Sequence, residues 1–403
     1  MNILVLNAGS SSQKSCLYRL AAPLPGSPPE PLWSAHIEWS ETAGQMVVTA
    51  GAARVSIELA PGDLATAISK MLDTLLVGDT QVLDDLAEID LIGHRVVHGG
   101  SKYSQPIAID DNVKAAIAAL SVLAPAHNPA NLAGIEEIEQ CLGDVPQIAV
   151  FDTAFHSQMP LPSAVYPIPY PLFEDGIRRY GFHGISHAYC SQRAAQLVGK
   201  PLEKLKLINC HLGNGCSLAA VDAGIGVDTT MGFTPLEGLM MGTRSGSIDP
   251  AILLHLMRTK GYDADRLDTL LNRESGLKGV SGISGDMREI GTAIANGNQR
   301  AQLAFDLYVH RLKSAIGAMV ASLGGLDVLV FTAGVGEHSA MVRERVCRGL
   351  EFLGVTLDAA LNSASPMDTV ISAPDSAVTV LVIHTEEDWA IAKACWQLRQ
   401  QLR

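Results

Sequence analysis

Three short Gly-rich contexts hold cations that could bind an anion: Arg95 in GHRVVHGG, His183 in YGFHGISH and Arg244 in GLMMGTRSGS. Apolar or small residues flank each of them, a poor setting for an unpaired positive charge. Arginine answers a carboxylate or phosphate with paired hydrogen bonds, so an anionic ligand would offset that cost. Three glycine-rich turns could hold phosphates through backbone N–H groups: Asn7 to Ser12, His211 to Gly215 and Gly334 to Gly336. The last is followed by a helical pattern, whose dipole favours an anion. Asp152 and the run Glu386-Glu387-Asp388 supply oxygen donors of the kind Mg2+ prefers. The same acidic run would also suit the first turn of a helix with no ligand at all.

Two familiar nucleotide motifs do not fit. Lys14-Ser15 lacks both glycines that a Walker loop places before its Lys. Gly334 and Gly336 come late in the chain and continue to Ser339 where a dinucleotide fingerprint needs a third glycine. The histidine pairs His94/His98 and His183/His187 have i, i+4 spacing but no HExxH acid, so hydrogen-bonded structural roles are the better reading.

These residues must be carried by strands and helices. Ile3 to Leu6 reads as a strand, followed by a polar Gly turn and a returning run from Ser15 to Tyr18. Leu205 to Cys210, the turn His211 to Gly215 and the return Cys216 to Val221 repeat that design, which suggests an internal duplication. Further apolar runs at Ile89 to Val97, Gln147 to Phe151, Asp327 to Phe331 and Val378 to Ile383 read as strands. A helical pattern covers Ser339 to Phe352, a terminal helix holds Trp389 and Trp396, and the Pro-rich Ala22 to Glu30 reads as a loop. The class is α/β with buried sheets, in which ligands bind beyond the C-terminal ends of strands. Arg95, Asp152, Gly334 and Glu387 fall at or just past such ends.

The 403 residues call for two domains. A formal net charge of −13 argues against general nucleic-acid binding. Seven cysteines without CxxC pairs suggest neither disulfides nor zinc. The N-terminus has no basic, signal-like segment, and no run reaches the ~20 apolar residues of a membrane span. A cytoplasmic enzyme, bound to neither membrane nor nucleic acid, is the expectation.

Together the segments LNAGSSSQK, GHRVVHGG, APAHNPANL, FDTAFH, YGFHGISH, HLGNGCS, GFTPLEGLMMGTRSG, SGDMR, TAGVGE and TEED resemble acetate kinases, in their family order and over nearly the whole chain. That family belongs to the superfamily of acetate and sugar kinases, actin and heat-shock ATPases. The resemblance implies two duplicated actin-like (ribonuclease H-like) domains with a nucleotide cleft between them: a lobe of residues 1–151 completed by 386–403, and a nucleotide-binding lobe of 152–385. It implies reversible transfer of a phosphoryl group from ATP to a carboxyl group, with ADP and acetyl phosphate as products, in a homodimer. Asn7 and Glu387 would hold Mg2+, with Mn2+ able to substitute. Lys14 would approach the phosphates. His211, Leu212, Gly213, Asn214 and Gly215, then Asp286, Met287 and Arg288, then Gly334, Val335, Gly336, Glu337 and His338 would line the nucleotide site. Arg95 would bind the carboxylate, Asp152 would be the catalytic acidic residue, and His183 and Arg244 would stabilise the transition state. Val97, Phe182 and Pro235 would cup the acyl tail.

The sequence departs from the family at a few places. Ala126 stands where leucine is frequent beside the acyl pocket, which makes a propionate or butyrate kinase the nearest alternative. His338 replaces a frequent asparagine. His384 and Glu386 replace the proline and asparagine of PTNEE, so Glu386 is the fallback metal ligand behind Glu387. A carboxylate nucleophile is already ionised and needs no base, so Asp152 is expected to orient Arg95, a magnesium-bound water or the nucleotide. A nucleotide-gated binding protein would need an appended peptide-binding domain, and the cation set argues against a sugar kinase.

Overall fold

The computed structural model describes residues 1–9, 12–39, 43–60, 62–364 and 366–401. The expected turn from Asn7 to Ser12 therefore includes two residues, Ser10 and Ser11, outside the described set. The chain divides into two compact units, Met1–Ala154 with Glu386–Arg403, and Phe155–Thr385. The first boundary falls a little after the expected 151. Asp152 and Thr153 are tied to the first unit, because Asp152 N–H donates to Val96 O at 3.0 Å and Gly99 N–H to Thr153 Oγ1 at 3.0 Å.

The first unit carries strands β1 (Asn2–Ala8), β2 (Ser12–Arg19), β3 (Trp33–Trp39), β4 (Gly44–Ala50), β5 (Ala53–Leu59), β6 (Leu91–Val96), β7 (Ile107–Ala108) and β8 (Gln147–Phe151). Their order in the sheet is β5-β4-β3-β2-β1-β6-β8-β7. Strands β1 to β5 run as an antiparallel meander, while β6 and β8 lie parallel to β1. Successive side chains of β1 serve opposite faces. Leu4 and Leu6 join Ile68, Met71 and Leu72 of the helix Leu64–Leu76. Val5 faces the other way, towards the same space beside Gly93 that Ile391 and Cys395 of the terminal helix Glu387–Gln401 fill. The helix Leu64–Leu76 starts where the Asp63 carboxylate accepts Thr66 N–H at 2.9 Å. Each fully buried Leu or Ile of this core contributes ~1.5–3 kcal/mol.

The second unit carries β9 (Lys206–Leu212), β10 (Cys216–Asp222), β11 (Ile225–Thr229), β12 (Val328–Thr332), β13 (Thr369–Val370) and β14 (Thr379–Val382), in the order β11-β10-β9-β12-β14-β13. Strand for strand this matches β3-β2-β1-β6-β8-β7, with the same antiparallel and parallel pairings. The duplication suggested by two similar turns is thus a duplication of whole sheets, and β4 and β5 are additions to the first. Beneath β9 to β11 lies the helix Gln299–Leu323, which buries Ala304, Tyr308, Leu312, Ile316 and Met319 at nearly four-residue spacing. Asn298 caps its start, accepting Ala301 N–H at 2.9 Å, and Gly324 ends it at φ 64°.

Connectivity exchanges the last helix of each repeat. The helix Gly184–Val198 follows β8 in the chain but packs on β9 and β12, while Glu387–Gln401 follows β14 and packs on β1 and β6. Each places its N-terminus beside the first hairpin of the sheet it covers.

Two expected elements differ. The helical pattern from Ser339 to Phe352 is a helix only over Ala340–Cys347, because Gly349 follows closely and Gly354 turns the chain at φ 82°. The expected turn Gly334 to Gly336 lies inside a short helix, Ala333–His338, whose start is bent by Ala333 at φ 62° and fixed by the Glu337 side chain. Meander strands β3 to β5 were not expected, although Val55, Ile57 and Leu59 alternate with polar residues along β5.

Candidate functional site

In the first unit the chemistry gathers at the C-terminal ends of β1, β6 and β8 and at the start of the terminal helix. Arg95, one residue before the end of β6, faces Asp152 just beyond β8. Its Nη2 lies 2.5 Å from Oδ2 of Asp152, and its Nε lies 3.1 Å from Oδ2 and 3.2 Å from Oδ1. Asp152 is buried and Arg95 nearly so. Burial alone would lower the arginine pKa, but Asp152 first, then Glu387 and Asp388, hold it above its ordinary value. Of the partners expected for Asp152, Arg95 is the one it holds in the first unit, so this cation is paired within the protein. Its Nη1 is less engaged, with Asn7 Oδ1 and Ala8 O both at 3.5 Å.

Asn7, near the end of β1, connects this pair to the terminal helix. Its Nδ2 donates to Glu387 Oε2 at 3.2 Å and to Asp388 Oδ1 at 3.0 Å. The other Asp388 oxygen takes Lys14 Nζ at 2.6 Å, and Cys16 Sγ is 3.7 Å away. Lys14 is half exposed. Although partial burial works against its charge, Asp388 keeps its pKa raised. Asp388 is the residue that sequence reasoning missed. It belongs to the acidic run already singled out, but helical spacing alone does not tell which carboxylate points to the sheet. Asp388 does and is buried, while Glu387 stays half-buried.

Around these groups, Val97 is buried with its N–H on Asn131 Oδ1 at 3.1 Å. Ala126 sits on an exposed turn ahead of the helix Asn128–Leu142, so the volume lost there opens to solvent and not into an enclosed wall. His94 Nε2 meets Gln147 Oε1 at 2.6 Å, and His98 Nδ1 accepts Gly100 N–H at 3.0 Å.

In the second unit the hairpin between β9 and β10 is the centre. A Cβ built on Gly215 would stand 3.5 Å from both Arg244 Nη1 and His183 Nε2, so these two side chains flank one glycine. His183 is the N-cap of the helix Gly184–Val198 at φ 56°, an unusual conformation that turns its ring to the hairpin. It stacks on His211 with ring centroids 4.1 Å apart. Arg244 donates from Nη1 to Pro235 O at 3.1 Å, and burial lowers its pKa. Among the described residues it has no carboxylate within ion-pair distance.

Other expected nucleotide residues converge on the same hairpin. Gly242 N–H donates to Asn214 O at 3.1 Å, and a Cβ on Gly285 would meet Gly242 O at 2.9 Å. That contact brings in Asp286, which caps the helix Met287–Ala295. Met287 itself is buried, whereas Arg288 is exposed and folds back on Asp286 with Nη2 to Oδ2 at 2.5 Å. The helix Ala333–His338 lies beside Leu212, since a Cβ on Gly336 would be 3.7 Å from Leu212 Cβ. Gly334 and His338 are exposed and Val335 partly so.

Glu337 departs from its expected place. It is buried, and its Oε1 accepts Ala333 N–H at 2.8 Å and Thr385 N–H at 3.1 Å, while Oε2 meets His384 Nδ1 at 2.6 Å. Burial would raise its pKa, but His384 and the two N–H groups keep it lowered. Glu337 is thus a tie between segments of the second unit, and His384, at a position of sequence departure, is its partner. Phe182 is buried with its carbonyl on His156 Nε2 at 3.1 Å, and Pro235 is half-buried.

The family model described as the acetokinase family matches residues 2–393. The chain is 62% identical over 400 residues to an acetate kinase of Microcystis aeruginosa, covering 99% of this chain and 100% of that protein. It is 60% identical over 405 residues to an acetate kinase of Gloeothece citriformis, covering 100% of both. Among solved structures it is similar to an acetate kinase of Porphyromonas gingivalis, with TM-score 0.90 and 41% identity over 99% of each chain. A propionate kinase of Francisella tularensis is also similar, with TM-score 0.90 and 38% identity over 98% of this chain and 99% of that one.

Proposed function

We propose that this chain, which belongs to the acetokinase family, transfers the γ-phosphoryl group of ATP to acetate, and in reverse makes ATP from acetyl phosphate and ADP. The full-length identity to acetate kinases carries this reading. The charge arrangement supports it chemically. Acetate and the γ-phosphoryl group are both anionic, and at 4 Å with an effective dielectric of 20 each unit-charge pair repels by ~4 kcal/mol.

Arg95 answers the acetate carboxylate. Asp152 occupies its Nε and Nη2 edge, which leaves the lightly engaged Nη1 for an incoming oxygen. Asp152 accordingly positions Arg95; the acetate oxygen attacks already ionised and gives up no proton. Arg244 and His183, flanking Gly215, stabilise charge on the transferring group, which is the main requirement of phosphoryl transfer. The hairpin His211 to Gly215, the segment Asp286 to Arg288 and Gly334 to His338 bind the nucleotide; Glu337 does so indirectly, by fixing its helix.

The donor set suits Mg2+. Among the described residues no three His, Cys, Asp or Glu side chains group as a metal cage. Glu387 and the Asn7 amide nevertheless offer two hard oxygen donors, and Mg2+ needs only one or two protein carboxylates when phosphates complete its shell. Glu387 and Asn7 would hold it, with Glu386 as the alternative to Glu387 and Mn2+ as an alternative ion. The bound ion would supply neutralisation of phosphate charge.

A homodimer in the cytoplasm follows from the family reading. All seven cysteines are free thiols. Among the described residues no helix is long and apolar enough to cross a membrane. Light scattering on the purified protein should give twice the chain mass.

The second reading is a propionate or butyrate kinase, favoured by the likeness to a propionate kinase structure. Trapping the acyl phosphate with hydroxylamine, using ATP, Mg2+ and a series of carboxylates, decides both matters. Acetate should give the highest kcat/KM. A higher value for propionate would reverse the assignment, and no hydroxamate from any acid would end it.

A further inference from the structure

One hydroxyl serves two histidines in the second unit. Ser217 Oγ lies 2.9 Å from His183 Nδ1 and 2.8 Å from His187 Nε2. Ser217, on β10, and His187, one turn along the helix that His183 caps, are both fully buried. A hydroxyl has one proton, and among the described residues Ser217 Oγ has no third hydrogen-bond partner, so accepting from both rings would orphan its own buried hydrogen. Ser217 therefore donates to one ring and accepts from the other.

The buried end decides the direction. Among the described residues, Nδ1 of His187 has no hydrogen-bond partner. A buried N–H without an acceptor is a costly orphan, whereas a bare ring nitrogen in an apolar place is cheaper. His187 therefore carries its proton on Nε2 and donates it to Ser217 Oγ. The Ser217 hydrogen is then directed to His183 Nδ1, and the His183 proton is left on Nε2. Burial, followed by the neighbouring His156 and His211, holds His187 well below its usual pKa, which keeps it the neutral, one-proton ring this chain requires. The His183 Nε2 so protonated is the atom that lies 3.5 Å from the Gly215 Cβ position, as does Arg244 Nη1.

We propose that Ser217 and His187 are positioning residues, which fix His183 as the Nε2–H tautomer so that it presents a hydrogen-bond donor beside Arg244. The inference rests on the phosphoryl-transfer reading for its purpose, but its geometry stands without it. A protonated His183 would reverse the Ser217 hydroxyl and force a proton onto the partnerless His187 nitrogen. The same chain thus favours a neutral donor at this site over a second full cation beside Arg244. In the first unit the corresponding position across the hairpin holds Lys14, which pairs with Asp388. The duplicated fold therefore builds a charged brace at one corner and a neutral relay at the other.

The test is 15N NMR of the full-length protein labelled at histidine, with His183→Gln used to assign the resonance. His183 should show a protonated Nε2 and an unprotonated, hydrogen-bonded Nδ1. In Ser217→Ala that preference should weaken, and kcat should fall about ten-fold, the order of one lost hydrogen bond to a buried partner, with KM for acetate and ATP within about two-fold. Ser217→Thr, which keeps the hydroxyl, should recover most of kcat. A wild-type His183 protonated on Nδ1 overturns the inference, and so does a Ser217→Ala enzyme with unchanged tautomer and kcat. Should Ser217→Ala fail to fold, the wild-type spectrum decides alone. Absence of acetyl hydroxamate from the wild-type protein would instead defeat the phosphoryl-transfer reading and leave the tautomer result standing.

Discussion

The Arg95 guanidinium lies along the Asp152 carboxylate, with Nη2 2.5 Å from Oδ2 and Nε 3.2 Å from Oδ1, so the edge of the arginine farthest from Asp152 is the one the proposed function assigns to substrate. The pair spans the ends of β6 and β8, which are neighbours in the sheet and nearly sixty residues apart in the chain. Removing Asp152 would leave a largely buried charge without its partner. Asp152→Ala should lower unfolding stability by about 3 kcal/mol in urea titrations, the low end for a broken buried pair. Asp152→Asn should raise KM for acetate and leave the pH profile of kcat with the same limbs. Loss of one limb at unchanged acetate KM would show that Asp152 handles a proton.

Asp388 anchors both Asn7 and Lys14 from a buried position. Asp388→Ala should therefore weaken the response to Mg2+, because Asn7 then loses one of the two carboxylates that orient it. We expect the Mg2+ concentration at half-maximal rate to rise about ten-fold, the scale of changes that disturb the supports of a metal ligand. An unchanged Mg2+ titration would mean that Glu387 alone orients Asn7.

Gly215→Ala places a methyl in ordinary van der Waals contact with Arg244 and His183, and Gly215 does not adopt a positive φ. The variant should fold with wild-type thermal stability. Its kcat should fall by at least about ten-fold, since the methyl takes the space between the two donors to which the proposed function assigns the phosphoryl group. A thermally destabilised variant would place the effect in folding.

Acid should destabilise this protein well above the carboxylate range. Burial lowers the pKa of His94, His98 and His156 from 6.5 to about 4, and holds that of His187 well below 6.5. The unfolded chain binds these protons more readily than the folded one. The stability associated with the neutral rings is therefore complete above pH 6.5 and is lost as pH falls towards 4. For one such residue the difference amounts to about 3 kcal/mol. The urea midpoint should drop steadily from pH 7.5 to 5, and His94→Gln should flatten that slope. A midpoint constant over that interval would mean that these histidines are protonated in the folded state.

Much of this organisation is legible in the chain because it is local. Apolar runs such as Gln147 to Phe151 stand out as buried strands, and Gly turns mark the hairpins. The meander β3 to β5 was less visible because its alternating pattern is shared by many exposed segments. The short helix Ala333–His338 was hidden for another reason: glycines suggest a turn, and the Glu337 side chain that stabilises the helix takes partners from residues 384 and 385.

The sequence by itself determined the family, the two-sheet α/β class and the set of cations and carboxylates, since these depend on residue type, order and local period. Only the tertiary structure decided the pairings: Arg95 with Asp152, Lys14 with Asp388, Glu337 with His384, and His183 with a serine shared by His187. The physical reason is distance along the chain. A hydrogen bond acts over about 3 Å, while Lys14 and Asp388 lie at nearly opposite ends of the sequence and meet only because the terminal helix packs on β1 and β6.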